Sequence, residues 1–231
     1  MEKKPVLAIE TSGPCGGVAI VGEEVLGEVL LSSSETHSKR LLSAADYLLR
    51  RLGFKLQDLS AVAISLGPGS FTGLRIGLAT AKGLCLGAGL LLVGVGTLEA
   101  LAANVYLAPY PVCPVLDARR KQVYTALYRF KDGQFKELLP PSLLSPEKLL
   151  SFIQEKTIFL GDGLKPYGEY LAKALGEKFI PAPPHLAHAR PAAVGYLGWQ
   201  RILRSETDDP RSLLPIYLRP SEAELKFIER R

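Results

Sequence analysis

Short apolar runs alternate with amphipathic stretches along the chain, and the period of each run assigns it to a strand or a helix. Residues 6–10, 17–21 and 25–31 are β-prone runs, parted by Ser12-Gly13-Pro14-Cys15-Gly16 and by Gly22-Glu23-Glu24, which predicts a three-stranded meander. Residues 37–52 carry Leu41, Ala45, Leu48 and Leu52 at helical spacing, with Leu42 and Leu49 alongside and Gly53 as a stop. Residues 61–66 read as a buried strand, 70–86 as a helix, 90–95 as a strand and 97–105 as a further helix. Pro109, Pro111 and Pro114 then interrupt the pattern. The order begins again with strands at 112–116, 122–130 and 134–139, the last two joined by the hairpin turn Lys131-Asp132-Gly133. A helix at 145–154 has Ser145 as cap and Pro146 in first position. A strand at 157–160, a helix at 166–175 closed by Gly176, a brief strand at 178–180 and a helix at 191–203 complete the second half. Residues 207–215 read as a loop, 216–218 as a short extended piece and 221–231 as a polar terminal helix.

Each half thus reads βββαβαβα, the pattern of a mixed sheet with helices on both faces. The expected fold is α/β, two tandem lobes like those of the actin, sugar-kinase and heat-shock chaperone ATPase (ASKHA) superfamily, which enclose a nucleotide cleft. The lobes are expected at 1–108 and 109–231, with the membership of 221–231 open. No residue-level repeat links the halves, so the duplication rests on element order. Fold analogy does not establish an ATPase.

One stretch stands apart. Residues 65–87 run from an apolar strand through Gly67-Pro68-Gly69 into a helix capped by Ser70, whose only charges from Phe71 to Leu86 are Arg75 and Lys82. Gly73, Gly77 and Ala81 form a smooth stripe at four-residue spacing. A helix this apolar needs cover on more than one side: its own sheet, and on the other side a second chain.

The 231 residues suffice for one large domain or two lobes, and 47% hydrophobic with 22% charged residues is a globular composition. A net charge of +5 and a pI near 9.1 fit an acidic partner such as RNA, and equally a solvated basic surface. Cys15, Cys85 and Cys113 are odd in number and without ligand spacing, which favours buried thiols in a reducing compartment. The N-terminus is too short in apolar residues for a signal peptide, and residues 83–96 fall short of the ~20 a membrane span needs, so a cytoplasmic protein without membrane contact is expected.

Candidate chemistry is sparse. Exposed amides at a helix N-terminus bind phosphate, yet a Walker A loop or a dinucleotide loop counted from Gly67 meets Thr72 where glycine is required, which favours a structural turn. Glu10, Thr11 and Ser12 end the first strand, where a carboxylate and hydroxyls either face a cleft or simply finish the strand. His185 and His188 sit in a proline-rich loop with no HExxH pattern, and His37 begins a helix. No GxSxG occurs, and the three histidines form no persuasive triad. Asp117-Ala118-Arg119-Arg120-Lys121 places three cations beside one carboxylate, as a phosphate contact or as a solvated turn; Arg201, Arg204, Arg211 and Arg219 add basic surface without interleaved aromatics.

The block SLGPGSFTGLRIGLATAKGL, with LAIETS, GGVAI, THSKRLL, TLEALA, LDARRKQVYTALY, GDG and PIYLR along the rest of the chain, resembles the TsaB (YeaZ) family. The resemblance implies the duplicated ASKHA fold and a part in forming N6-threonylcarbamoyladenosine on tRNA next to the anticodon. It also implies partners: a TsaD-like catalytic subunit, a TsaE-like ATPase, a second copy when alone, and tRNA through the complex. Thr97-Leu98-Glu99-Ala100-Leu101 stands where TsaD carries a metal-binding His-x-x-x-His segment. The expectation is therefore a non-catalytic scaffold with no catalytic residue, metal or cofactor of its own.

Its expected partner interface comprises Leu41, Leu42, Ala45 and Leu49 of the first helix with Ser70, Gly73, Ile76, Gly77, Thr80 and Ala81 of the second. The alternative is an ATP-dependent kinase or hydrolase using the interlobe cleft, with Glu10, Thr11 and Ser12 near the phosphates. A stand-alone RNA-binding module is a third class, and a peptidase lacks a nucleophile or metal pair.

Overall fold

The computed structural model describes residues 4–32, 37–131 and 134–220, with the side chains of residues 37–40 and 134 outside the description. The terminal helix expected at 221–231 lies outside the described residues, as does the hairpin turn at Asp132-Gly133.

The first half contains β1 (Val6–Glu10), β2 (Cys15–Val21), β3 (Val25–Ser32), α1 (His37–Leu52), β4 (Ala61–Gly67), α2 (Phe71–Ala88), β5 (Leu91–Gly96) and α3 (Thr97–Ala102). The second contains β6 (Val112–Asp117), β7 (Val123–Lys131), β8 (Gln134–Leu144), α4 (Pro146–Leu150), β9 (Thr157–Leu160), α5 (Leu164–Leu175), β10 (Phe179–Pro181) and α6 (Pro191–Leu203). Two mixed five-stranded sheets result, in the orders β3-β2-β1-β4-β5 and β10-β9-β6-β7-β8. The doubled βββαβαβα order predicted from the sequence is the observed one.

β1 is central, antiparallel to β2 and parallel to β4, and buried along its whole length. Its alternation divides two cores. Leu7 and Ile9 join Leu41, Ala45 and Leu78 under α1 and α2, whereas Val6 and Ala8 join Val194 and Trp199 of α6. That second core also takes in Val112, Ala126, Tyr128 and Leu160 of the other sheet, so one apolar layer joins both halves. The closing helix α6 thereby crosses the 108/109 division and packs on the first sheet. A Cβ on Gly195 would stand 2.5 Å from Val21 Cγ2, and one on Gly198 2.4 Å from Ala63 Cβ, so these glycines let α6 lie close to β1, β2 and β4.

Two elements differ most in length from expectation. The helix begun by Ser145 and Pro146 ends at Leu150 because the chain tightens into three-residue turns, Phe152 N donating to Leu149 O and Ile153 N to Leu150 O, with the Ser151 hydroxyl bonded to Lys148 O. β8 runs on through Pro140 and Pro141 to Leu144, tolerated because it is an edge strand whose register shifts opposite Thr125 and Leu127.

Candidate functional site

The glycine-proline turn lies where β4 gives way to α2. Ser70 caps the helix, its hydroxyl accepting from Gly73 N at 3.2 Å, and the Gly67-Pro68 peptide is cis. Two of the turn's amides are already engaged: Gly67 N donates to Thr97 Oγ1 at 3.1 Å and Ser70 N to Ser12 O at 2.7 Å. A structural turn, rather than a phosphate cradle, is what this bonding supports.

The stripe expected to face a partner faces inward. A Cβ on Gly73 would come within 2.0 Å of Thr11 O, one on Gly77 within 2.1 Å of Thr11 Oγ1, and Ala81 has no exposed surface. The small residues seat α2 on the end of β1, because the bulk of Thr11 must fit beneath the helix. On α1, Leu41 and Ala45 are likewise buried against that sheet. Of the expected interface residues, Ser70 and Leu42 are exposed, while Ile76, Thr80 and Leu49 are half-buried. Leu42 is 53% exposed, and Tyr47 and Leu86 on the same helix pair are also open to solvent.

At the end of β1, Glu10 is fully buried. Its Oε1 accepts from Ser12 N and Ser12 Oγ, both at 2.5 Å, and the Ser65 hydroxyl lies beside it, accepting from Thr11 N at 3.5 Å. Burial raises its carboxyl to about 7 from the ordinary 4.5, against the opposing pull of the Ser12 and Ser65 bonds. Among the described residues, Glu10 Oε2 and Thr11 Oγ1 are buried without a hydrogen-bond partner, as is Trp199 Nε1. The alternation of β1 turns Glu10 toward the α6 side and Thr11 toward α2, so the two do not form one constellation.

The β6–β7 turn carries the cations. Arg119, Arg120 and Lys121 have φ of 60°, 52° and 57°, three successive left-handed residues without a glycine. Asp117 Oδ1 accepts from Arg119 N at 2.8 Å, Asp117 N donates to Asp162 Oδ1 at 3.0 Å, and Gln122 N donates to Arg119 O at 3.0 Å. Arg219 reaches in from the tail, donating to Ala118 O at 2.7 Å and to Gln122 Oε1.

That tail is the feature the sequence reading missed. Asp208 pairs along the outer edge of β5, its N bonding Leu92 O at 2.8 Å and its carboxylate accepting from Gly94 N at 2.7 Å. Ile216 N bonds Leu66 O at 2.8 Å, and Tyr217 stacks on Phe71 with ring centroids 4.4 Å apart and planes 8° apart. Arg75 Nε donates to Tyr217 Oη at 3.0 Å. No local periodicity signals a pairing 142 positions apart; the only hint was PIYLR as a conspicuous terminal phrase.

His185 is exposed in a short turn, and the carbonyl oxygen of His188 accepts from Asn104 Nδ2 at 2.8 Å, as expected of a loop pair. Among the described residues no group of three or more His, Cys, Asp and Glu is placed to hold a metal, and no helix is long and apolar enough to cross a membrane.

Comparison with known proteins places this geometry. The family model described as TsaD, tRNA N6-adenosine threonylcarbamoyltransferase, matches residues 24–227. The protein named tRNA threonylcarbamoyladenosine biosynthesis protein TsaB of Bacillus subtilis is 35% identical over 228 residues, 97% of this chain and 98% of that one. Its namesake in Haemophilus influenzae is 30% identical over 230 residues, 95% of each. A Pseudomonas aeruginosa protein described as having similarity to peptidase YEAZ superposes with a TM-score of 0.80 at 25% identity, covering 94% of this chain and all of that one. A ROK hexokinase of Thermus thermophilus superposes at 0.50 with 12% identity, covering 84% of this chain and 99% of that one; it shares the fold alone, and with it the ASKHA-like architecture. With relatives matched over nearly their whole length, and with the sequence blocks that carried the resemblance now seated in the expected fold, the chain belongs to the TsaB family.

Proposed function

We propose that this chain acts in the formation of threonylcarbamoyladenosine on tRNA as a non-catalytic subunit that binds and activates a TsaD-type threonylcarbamoyl transferase. The supporting observation is α3. At the two positions where TsaD carries histidines, Thr97 is buried with its hydroxyl accepting from Gly67 N, and Leu101 is fully buried in the core joining the two sheets. Both side chains serve the fold, and neither is a metal ligand at this segment. A TsaE-type ATPase and tRNA join through the complex, and the free chain pairs with itself.

The docking surface we assign is the solvent side of the α1–α2 pair, with Leu42, Ile76, Thr80 and Leu86, rather than the buried glycine stripe. Leu42→Glu combined with Leu86→Glu places two charges on that surface. Both sites are exposed, so stability should stay within about 0.5 kcal/mol of wild type per site. Capture of the catalytic subunit should fall at least tenfold. Unchanged capture by a folded double variant would remove this face from the interface. The role itself is tested by reconstituted tRNA modification: product should require both chains, and product from the catalytic subunit alone at the full rate would exclude an activating subunit.

A further inference from the structure

The sequence showed cations without aromatics, and the fold supplies the aromatic. Tyr217 lies flat on Phe71, with the Arg75 guanidinium 5.8 Å from the Tyr217 ring centroid and 5.9 Å from that of Phe71. Two residues on, Arg219 is bonded to both shoulders of the β6–β7 turn, at Ala118 O and Gln122 Oε1. The turn exposes Arg119, Arg120 and Lys121. A stacked aromatic pair and five cations, drawn from α2, the tail and the β6–β7 turn, are therefore linked through the tail, in which Tyr217 and Arg219 are two positions apart.

The charges on this surface are only partly offset, by Asp117, Asp162 and Glu147 against five cations. Asp117 pairs with Arg119 at 3.2 Å, and Asp162 is engaged by the Asp117 amide. Glu147 feels the charge of Lys121 without forming an ion pair with it. Arg120 has no ion-pair partner among the described residues, and Arg75 and Arg219 bond to neutral oxygens. The backbone points the same way. Three successive left-handed residues without glycine are an unfavourable choice for a turn that has only to reverse the chain, and here they hold a run of cations open to solvent. Tyr217 remains 38% exposed despite its stack. Cations that follow a phosphate chain, beside an aromatic that accepts an unstacked base, are the recognition chemistry of looped or single-stranded RNA. An acidic protein surface would use the cations but has no need of the stacked ring.

We propose that this surface, with Arg75, Arg119, Arg120, Lys121, Tyr217 and Arg219, binds the tRNA substrate directly at an unpaired region. The inference rests on the tRNA-modification role proposed above and adds to it that the subunit touches RNA itself. The test is fluorescence anisotropy with a labelled, unmodified tRNA transcript, from 50 to 200 mM salt as a roughly fourfold range suited to counterion release. The chain is used alone and in complex with its catalytic partner. Replacing Arg119, Arg120 and Lys121 together by Asn removes the charges while keeping a residue type that accepts the left-handed backbone. Affinity should fall at least tenfold at about 0.1 M salt, and the slope of log affinity against log salt should flatten by about 2, near 0.7 for each phosphate no longer neutralised. Tyr217→Phe should bind as wild type, and Tyr217→Leu more weakly.

Equal affinity and slope in the folded triple variant would overturn the proposal. So would loss of the catalytic partner with RNA binding intact, which would make the surface a protein interface. Should RNA binding prove indifferent to these residues while modification still requires the chain, the subunit role stands and only the RNA surface fails.

Discussion

Gly73→Val and Gly77→Val should each destabilise the chain by about 3 kcal/mol or more, while Gly83→Ala and Gly87→Ala on the same helix should raise stability by about 0.5–1 kcal/mol each. The contrast follows from what each new side chain meets. At Gly73 the added Cβ stands 2.0 Å from the carbonyl oxygen of Thr11, and at Gly77 it stands 2.1 Å from Thr11 Oγ1 and 3.0 Å from Ile64 Cδ1. At Gly73 the obstacle is backbone at the end of a central strand, which cannot yield without moving β1, paired with both β2 and β4; at Gly77 it is the side chains of Thr11 and Ile64, both fully buried. At Gly83 and Gly87 nothing lies within 4 Å, so alanine there only gains helix propensity. Urea melts of the four variants measure the difference directly. A Gly77 variant as stable as wild type would mean that α2 can lift from β1 at little cost. A bulky residue at Gly77 is therefore a poor probe of partner docking, since it loses the fold before it reaches the interface.

The misplaced stripe shows where sequence reading stops. The helix, its cap at Ser70 and the strand before it were legible because they rest on local signals: a 3.6-residue period, a hydroxyl at the first turn and a glycine-proline break. A four-residue stripe of small residues says that something approaches closely, but not what. Here it is Thr11 of the same chain. The close approach of α6 to the first sheet, through Gly195 and Gly198, was invisible for the same reason: partners distant in sequence leave no periodic trace. The cationic turn was legible as a run of charges, and its aromatic neighbour was not, since Phe71 and Tyr217 stand in α2 and the tail, far apart in sequence, and meet only in the fold. Glu10 was found because a carboxylate at the end of an apolar strand breaks the local pattern, although its full burial, beside Ser12 and Ser65, is a property of the folded chain alone.

Burial of Glu10 leads to the other large effect. The folded chain holds this carboxyl's proton up to about pH 7, whereas the unfolded chain releases it near 4.5. Below about 4.5 both states are protonated and ionisation of Glu10 sets no difference between them. As pH rises from there the unfolded state ionises first, so the stability held at low pH is progressively lost and is gone once the folded carboxyl ionises above 7. The change across that window should be about 3 kcal/mol. Glu10→Gln removes it. The amide oxygen can still accept from Ser12 N and Oγ, and the NH2 group takes the place of the unpartnered Oε2. Wild type and variant should therefore melt alike in urea near pH 4.5 and diverge toward pH 8, with the variant the more stable by up to about 3 kcal/mol. Their difference isolates Glu10 from every other titrating group in the chain. Parallel profiles across that range would show that water reaches the carboxylate, and that the end of β1 opens more readily than its packing against α6 and β4 indicates.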